Sequence, residues 1–151
     1  MKYDKINSYF TSEQGLEQLI TDYKDLFDQI DDYGQQLLQG MITALEEYST
    51  LLNFATGVYT SLEPLYSLAE AHKLNIELGY YVAKKRELEA KGEKYTAASL
   101  DKEASLSVEK ERRIRNIIEG YLLASEKIII TCQTQMKRIT ENRQYKPQEE
   151  V

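Results

Sequence analysis

Apolar residues recur in steps of three and four along most of the chain, which is the spacing of one helix face. This alternation runs over residues 16–65, with one extra step of four before Met41. Such steps form the seam of a coiled coil or bundle helix, and two successive steps of four form a stutter. We therefore predict one long helix over about residues 12–62 that continues through the stutter. Two helices broken at Gly34 or Gly40 are the alternative.

Two further helices follow. Pro64 disfavours helical geometry in the residue before it, so we expect the second helix to begin after it, over about residues 65–91. Gly92 can adopt the left-handed conformation that ends a helix, and Thr96 can cap the N-terminus of the next one. We expect the third helix over about residues 97–142.

These elements predict an all-α fold, because no strand alternation and no internal repeat is visible. We expect an elongated antiparallel helical bundle or coiled coil of three long helices. The 151 residues include only 7 glycines and 2 prolines, which is typical of an ordered chain. We expect a single helical domain over residues 1–146, followed by a flexible tail over 147–151.

The sequence lacks the apolar segments that direct a chain into or across a membrane. Its longest aliphatic run, residues 128–130, is far shorter than the roughly 20 residues that span a bilayer. The opening residues lack the apolar run of a signal peptide. We therefore expect a protein without a membrane partner that resides in the cytoplasm.

Few side chains here are typical of catalysis. One cysteine, Cys132, and one histidine, His72, exclude an internal disulfide and a zinc site of several cysteines or histidines. The acidic stretch that begins at Asp28 lacks the ligand spacing of a calcium loop. No phosphate-binding glycine loop and no hydrolase or redox motif occurs. We predict that the protein is not an enzyme and uses no cofactor or metal.

The net charge of −6 conceals an asymmetry along the chain. Residues 1–65 carry 11 Asp and Glu against 3 Lys and Arg, whereas residues 66–151 carry 14 against 16. Asp25, Asp28 and Asp32 crowd one helical segment. We interpret them as a solvated helix face, with a docking surface for a basic partner or an imitation of nucleic-acid phosphates as the alternative, and they are the candidate partner-binding residues of this segment.

The basic residues form two clusters in the second half of the chain. An antiparallel hairpin about the turn at residues 92–96 is expected to bring residues near 85 close to those near 105–112. The resulting basic belt could follow a phosphate backbone, and a surface neutralised by neighbouring glutamates is the alternative. The candidate nucleic-acid-binding residues are Lys84, Lys85, Arg86, Lys110, Arg112, Arg113 and Arg115.

Tyrosine is abundant, with 12 residues against 3 phenylalanines and no tryptophan. Five of the tyrosines, residues 23, 33, 48, 59 and 121, occupy the apolar seam, where a ring packs in the core and its hydroxyl reaches the edge. Tyr80, Tyr81 and Tyr95 lie near the basic residues or the turn. We interpret these three as candidates for stacking on bases or anchoring a protein partner.

The segment AEAHKLNIELGYYVAKKRELEAKGEKYTAASLDKEASLSVEKERRIRNIIEGYLLASEKIIITCQTQMKRI, residues 69–139, resembles small helical accessory proteins of tailed phages. It is most similar to UvsY-type recombination mediators: a helix rich in alanine and lysine, a short turn, a charged stretch, and a helix with aromatic and isoleucine spacing. The resemblance implies a ring-forming protein that binds single-stranded DNA and helps to load a recombinase. It assigns DNA contacts to residues 84–86. It assigns ring assembly to Ile118, Tyr121, Leu122, Ile128, Ile129 and Cys132.

Together these observations predict a non-enzymatic phage-type accessory protein that assists recombination or replication in the host-cell cytoplasm. We expect a homo-oligomer that binds single-stranded DNA and a protein partner, such as a recombinase or a host protein. The alternative is a protein-only adaptor or inhibitor, for example of a bacterial defence enzyme, that acts through its acidic N-terminal helix.

Overall fold

The computed structural model describes residues 2–144, and it confirms the all-α prediction, since these residues contain helices and no strand. Residues 2–144 form five helices rather than three long ones. Their bounds are α1 (Lys2–Thr11), α2 (Gly15–Leu38), α3 (Leu45–Lys91), α4 (Ala97–Ser107) and α5 (Glu109–Gln144). The predicted tail over 147–151 lies outside the described residues.

The N-terminal helix α1 was not predicted. It ends at Thr11, and the chain turns through three residues before α2 begins. A Cβ atom added at Gly15 would lie only 2.3 Å from the carbonyl oxygen of Tyr9, so only glycine fits this close approach between the helices. Tyr9 is buried, and its spacing from Ile6 was the sequence signal that could have revealed α1.

The prediction of one helix over residues 12–62 is wrong, because α2 and α3 are separated by residues 39–44. Gly40 adopts a φ of 68°, the left-handed conformation that ends a helix. The carboxylate of Glu47 accepts hydrogen bonds from the backbone N–H groups of Thr43 and Ala44, both at 2.9 Å. These bonds satisfy donors at the start of α3 that have no partner within the helix.

The predicted boundary at Pro64 is also wrong, because α3 passes through this residue without interruption and extends over 47 residues. Proline removes one backbone hydrogen bond from a helix. Leu62 and Leu65, on either side of it, are both completely buried, whereas Pro64 itself is exposed. Packing on both sides of the proline therefore holds the helix together despite the lost bond.

The turn between α3 and α4 has the predicted chemistry. Gly92 has a φ of 68°, and the N–H of Glu93 donates to the carbonyl oxygen of Leu88 at 3.0 Å. The side-chain oxygen of Thr96 accepts a hydrogen bond from the backbone N–H of Ser99 at 3.1 Å. The glycine stop and the threonine cap are both confirmed.

The predicted helix over residues 97–142 is interrupted at Val108, which separates α4 from α5. Arg112 donates a hydrogen bond to the backbone carbonyl oxygen of Ser105 at 2.8 Å. This bond satisfies a carbonyl group that the end of α4 leaves without a helical partner. The apolar spacing does not reveal the break, because Val108 is buried like a seam residue.

The helices form two compact units, each assembled from two segments of the chain. The first unit joins the described residues up to Asp22 to Pro64–Glu119, and its core includes Leu19, Leu65 and Leu100. The second unit joins Tyr23–Glu63 to the described residues from Gly120 onward. Its core includes Ile30, Leu51, Val58 and Cys132.

Candidate functional site

An apolar groove lies between α3 and α4 in the first unit. It has a volume of about 510 Å³, and its lining includes the buried Ala104 of α4. We call it the α3–α4 groove, and it is lined by Leu74, Glu77, Leu78, Tyr81, Asp101, Ala104 and Ser105. Leucine, tyrosine and alanine side chains form the centre of this lining.

The leucines of the groove are unusually exposed. Leu74 is 49% and Leu78 63% exposed, and Tyr81 is half-buried beside them. The three residues follow one another at steps of four and three, so they share one face of α3. These three side chains leave a contiguous apolar face of α3 exposed to solvent. The sequence showed a signal for it, since apolar residues over 65–91 are spread around the helix instead of forming one stripe.

Two carboxylates flank the groove, Glu77 on α3 and Asp101 on α4. Glu77 lies 3.7 Å from the ammonium group of Lys73, one turn earlier on the same helix. Asp101 is exposed and forms no ion pair with any residue between 2 and 144. The groove therefore combines an apolar centre with an acidic edge.

Three of the predicted DNA-binding residues are engaged within the first unit. The ammonium group of Lys110 lies 2.8 Å from a carboxylate oxygen of Glu17. Lys84 lies 3.3 Å from Glu87, and Arg112 caps α4 as described above. These cations have partners of their own, so each would have to exchange that partner for a phosphate.

Arg115 is the most firmly held of the predicted basic residues. It donates to the carboxylates of Glu70 and Glu119, the second at 2.9 Å, and to the hydroxyl of Tyr66 at 3.0 Å. Its guanidinium group also lies 5.3 Å from the centre of the Tyr66 ring, which adds a cation–π contact. Burial opposes the charged form, but the bonds to Glu70 leave the pKa of Arg115 raised overall. Arg115 connects α3 to α5 and is a structural residue here.

The expected single basic belt is not formed. Arg115 pairs with Glu70, whereas Tyr81 and Asp101 line the same groove nearer the turn. From Glu70 to Lys85 along α3 is about 15 residues, or about 22 Å at the helical rise. The two basic clusters therefore lie at different levels of the first unit. The prediction paired residues near 85 with residues near 105–112. That later segment lies too far from the turn to reach the level of residue 85.

Lys85, Arg86 and Arg113 are the predicted DNA-binding residues that are both exposed and free of ion pairs with described residues. Lys85 and Arg86 are near the end of α3, and Arg113 is in the first turns of α5. They remain candidates for a phosphate-binding surface.

The three acidic candidates lie on α2 within the second unit, and all are exposed. Asp28 forms an ion pair with Lys24 of the same helix. The side chains of Asp25 and Asp32 form no ion pair or hydrogen bond with the described part of the chain. Two carboxylates of the predicted acidic surface thus remain accessible.

The three candidate tyrosines differ in their surroundings. Tyr81 lines the α3–α4 groove, as expected for an anchoring residue, and Tyr80 is 37% exposed. The hydroxyl of Tyr95 donates to the carboxylate of Glu89 at 2.8 Å, and this hydrogen bond raises the pKa of Tyr95. Tyr95 therefore supports the turn, and Tyr81 is the one placed in the groove.

Most of the residues proposed for ring assembly are buried in the core. Ile118, Leu122, Ile128 and Cys132 are at most 9% exposed, and Ile129 is half-buried. A side chain that is buried within one copy offers no free surface to a second copy.

Tyr121, the remaining assembly candidate, also has its contacts within the second unit. Its ring stacks on Phe27 with 4.1 Å between ring centres, and its hydroxyl donates to Asp31 at 2.9 Å. Burial and this hydrogen bond raise the pKa of Tyr121. The exposed apolar side chains of the same stretch are instead Leu123 and Ile130.

Within residues 2–144, no group of three or more His, Cys, Asp or Glu is arranged to hold a metal ion. No helix in this described range is both long and apolar enough to cross a membrane. Comparison with protein-family models, curated proteins and solved structures found no match.

Proposed function

We propose that this protein is a non-enzymatic adaptor that binds another protein chain through the α3–α4 groove. The observation that supports this function is the exposure of Leu74 and Leu78 on the α3 wall of a groove of about 510 Å³. Leaving two leucines in water on the same face forgoes the free energy that their burial would release. A partner that covers this face would release that free energy of burial. The proposal includes the elongated antiparallel bundle predicted from the sequence as the scaffold that presents the groove.

An amphipathic helix is the partner segment that best suits this groove. Helix-in-groove recognition uses apolar side chains at intervals of three, four and seven residues, which fit between two packed helices. Leu74, Leu78 and Tyr81 offer the same intervals from the α3 side. Positive side chains at the edge of the incoming helix would face Glu77 and Asp101.

Photo-crosslinking tests this function. A photoreactive benzophenone side chain replaces Leu78 in one variant and Leu106 in another. Each variant is expressed in cells of the source organism before irradiation. Leu78 and Leu106 are matched, with exposures of 63% and 64%, but Leu106 lies outside the groove. We expect a covalent adduct from position 78 and little from position 106. Equal adducts from both positions, or none from position 78, would refute the groove as a docking site.

The second candidate function is binding to single-stranded DNA. In this function the protein would be a homo-oligomeric, phage-type accessory protein that assists recombination in the host cytoplasm. The accessible charges of Lys85, Arg86 and Arg113 favour it, together with the resemblance to UvsY-type mediators. Binding through such cations falls steeply as salt rises, because counterions are released from the phosphates. The overall acidic charge and the internal partners of the other basic residues weigh against it.

Fluorescence anisotropy of a labelled pyrimidine oligonucleotide tests the DNA-binding function. Changing Lys85, Arg86 and Arg113 to glutamate is expected to abolish binding, whereas changing Lys127 and Lys137 of the second unit is expected to have little effect. Binding that persists after the triple change would remove this surface from consideration.

The acidic-helix inhibitor is a third candidate, favoured by the accessible carboxylates of Asp25 and Asp32. A pull-down with the double variant Asp25→Asn and Asp32→Asn distinguishes the acidic-helix function from the groove function. A partner that resists nuclease treatment, is lost in the double variant and is retained by the Leu78→Asp variant would favour the acidic helix.

A further inference from the structure

A second unpartnered apolar surface lies on α5 in the second unit. Leu123 is 50% exposed and Ile130 48% exposed. They are seven residues apart, so they share one helix face about 10 Å apart along the axis. We call the surface formed by Leu123, Lys127, Ile130, Thr134, Lys137 and Arg138 the α5 strip.

The α5 strip is predominantly basic. Lys127, Lys137 and Arg138 are all exposed, and the first and last have no ion-pair partner among the described residues. Lys137 lies 3.9 Å from Glu141, near the limit of an ion pair, and is 76% exposed. Long basic side chains beside apolar ones give this face the character of an amphipathic helix with positive edges.

The α5 strip and the α3–α4 groove are complementary in spacing and in charge. The groove places Leu74 and Tyr81 seven residues apart, the same interval that separates Leu123 from Ile130. The edge of the groove is acidic, with Glu77 and Asp101, whereas the strip is basic. Opposite charges at the edge of an apolar contact set its orientation and exclude other arrangements.

We propose that the α3–α4 groove of one copy binds the α5 strip of a second copy, so that the chain assembles head to tail. This inference rests on the proposed function, because it identifies the partner of the same groove. The interface joins two different surfaces, so a pair of copies still has one free strip, on the first copy, and one free groove, on the second. Heterologous contacts of this kind continue into a ring or an open filament.

Mixing two complementary variants tests the assembly with the purified full-length chain. Leu78→Asp disables the groove, and Ile130→Asp disables the strip. Light scattering behind a sizing column measures the mass as the protein concentration rises. We expect wild-type protein to grow in mass with concentration and each variant alone to remain near 17.5 kDa. Loss of one buried aliphatic contact should weaken association at least about tenfold.

An equimolar mixture of the two variants is expected to form a 1:1 complex and no larger species. The Ile130→Asp chain supplies the intact groove and the Leu78→Asp chain supplies the intact strip. Leu106→Asp, matched to Leu78 in exposure, is the control that should assemble as the wild type does. Helical circular dichroism and urea unfolding verify that each variant is folded.

A charge exchange provides a second readout. Asp101→Lys is expected to weaken assembly, and Lys127→Glu in the same chain is expected to restore part of it. A wild-type chain that stays monomeric at about millimolar concentration, or variants that do not pair when mixed, would overturn head-to-tail assembly. A crosslinked adduct at position 78 of a mass other than twice the chain would then leave the adaptor function standing with a different partner.

Discussion

Gly92 and Gly79 provide a matched test of why the turn at the end of α3 requires glycine. Neither position has an atom within 4 Å of an added Cβ, so an alanine side chain meets no obstacle at either. They differ in backbone conformation, because Gly92 has a φ of 68° whereas Gly79 is inside α3. Substitution by alanine therefore isolates the energy of the backbone.

The expected effects have opposite signs. A residue with a Cβ pays about 1–2 kcal/mol in the left-handed conformation, so Gly92→Ala should lower the free energy of unfolding by about that amount. Inside a helix, alanine is more favourable than glycine by about 0.5–1 kcal/mol, so Gly79→Ala should raise it. The two variants should therefore differ by about 2 kcal/mol.

Urea unfolding followed by circular dichroism measures this difference, with an unchanged dependence on denaturant indicating an unchanged unfolded state. Gly40→Ala, at the other glycine with a φ of 68°, should reproduce the loss seen for Gly92→Ala. If Gly92→Ala and Gly79→Ala shifted stability equally, the left-handed turn would not be what selects glycine.

Further predictions concern charge and burial. Arg115→Gln should lower the free energy of unfolding by about 1–3 kcal/mol in urea titrations, because it leaves two glutamates near each other without their shared cation. The exposed Arg113→Gln should change it by less than about 0.5 kcal/mol, and equal effects would contradict a structural role for Arg115. The hydrogen bond from Tyr9, with further bonds on the same carboxylate, lowers the pKa of Asp22 to about 2 from an ordinary 3.8. The stability contributed by the ionised Asp22 carboxylate should be complete above pH 3.8 and lost as the pH falls towards 2. The Asp22→Asn variant should therefore show a flatter dependence of melting temperature on pH over that window. Burial raises the pKa of the Cys132 thiol, so a thiol reagent should modify it slowly in buffer and rapidly in concentrated urea; fast labelling in buffer would indicate an open core.

The periodic pattern predicted which residues are helical far better than it predicted where helices end. It succeeded at Gly92 and Thr96, where local chemistry both stops and starts a helix. It failed at Pro64, because the burial of the neighbouring Leu62 and Leu65 outweighs the proline's local preference. It failed again at residues 39–44, where the apolar spacing continues although Gly40 turns the backbone.

The candidate site was harder to predict than the fold. Charge clusters are visible in the sequence, but the partners of Lys110 and Arg115 come from other helices and depend on how those helices pair. Leu78 and Ile130 are both aliphatic, and their spacing alone does not show whether a neighbouring helix covers them. Their exposure follows from which faces the neighbouring helices cover, and this information is distributed over the whole chain.

The pairing of early with late segments has a consequence for synthesis on the ribosome. The described residues up to Asp22 complete their unit only with Pro64–Glu119, and Tyr23–Glu63 require the described residues from Gly120 onward. Helices can form as they leave the exit tunnel, but neither unit can close until most of the polypeptide has been made. Nascent chains halted before residue 119 should therefore remain sensitive to proteases, and a premature stop codon in α5 should yield a product that the cell degrades instead of a shortened working protein.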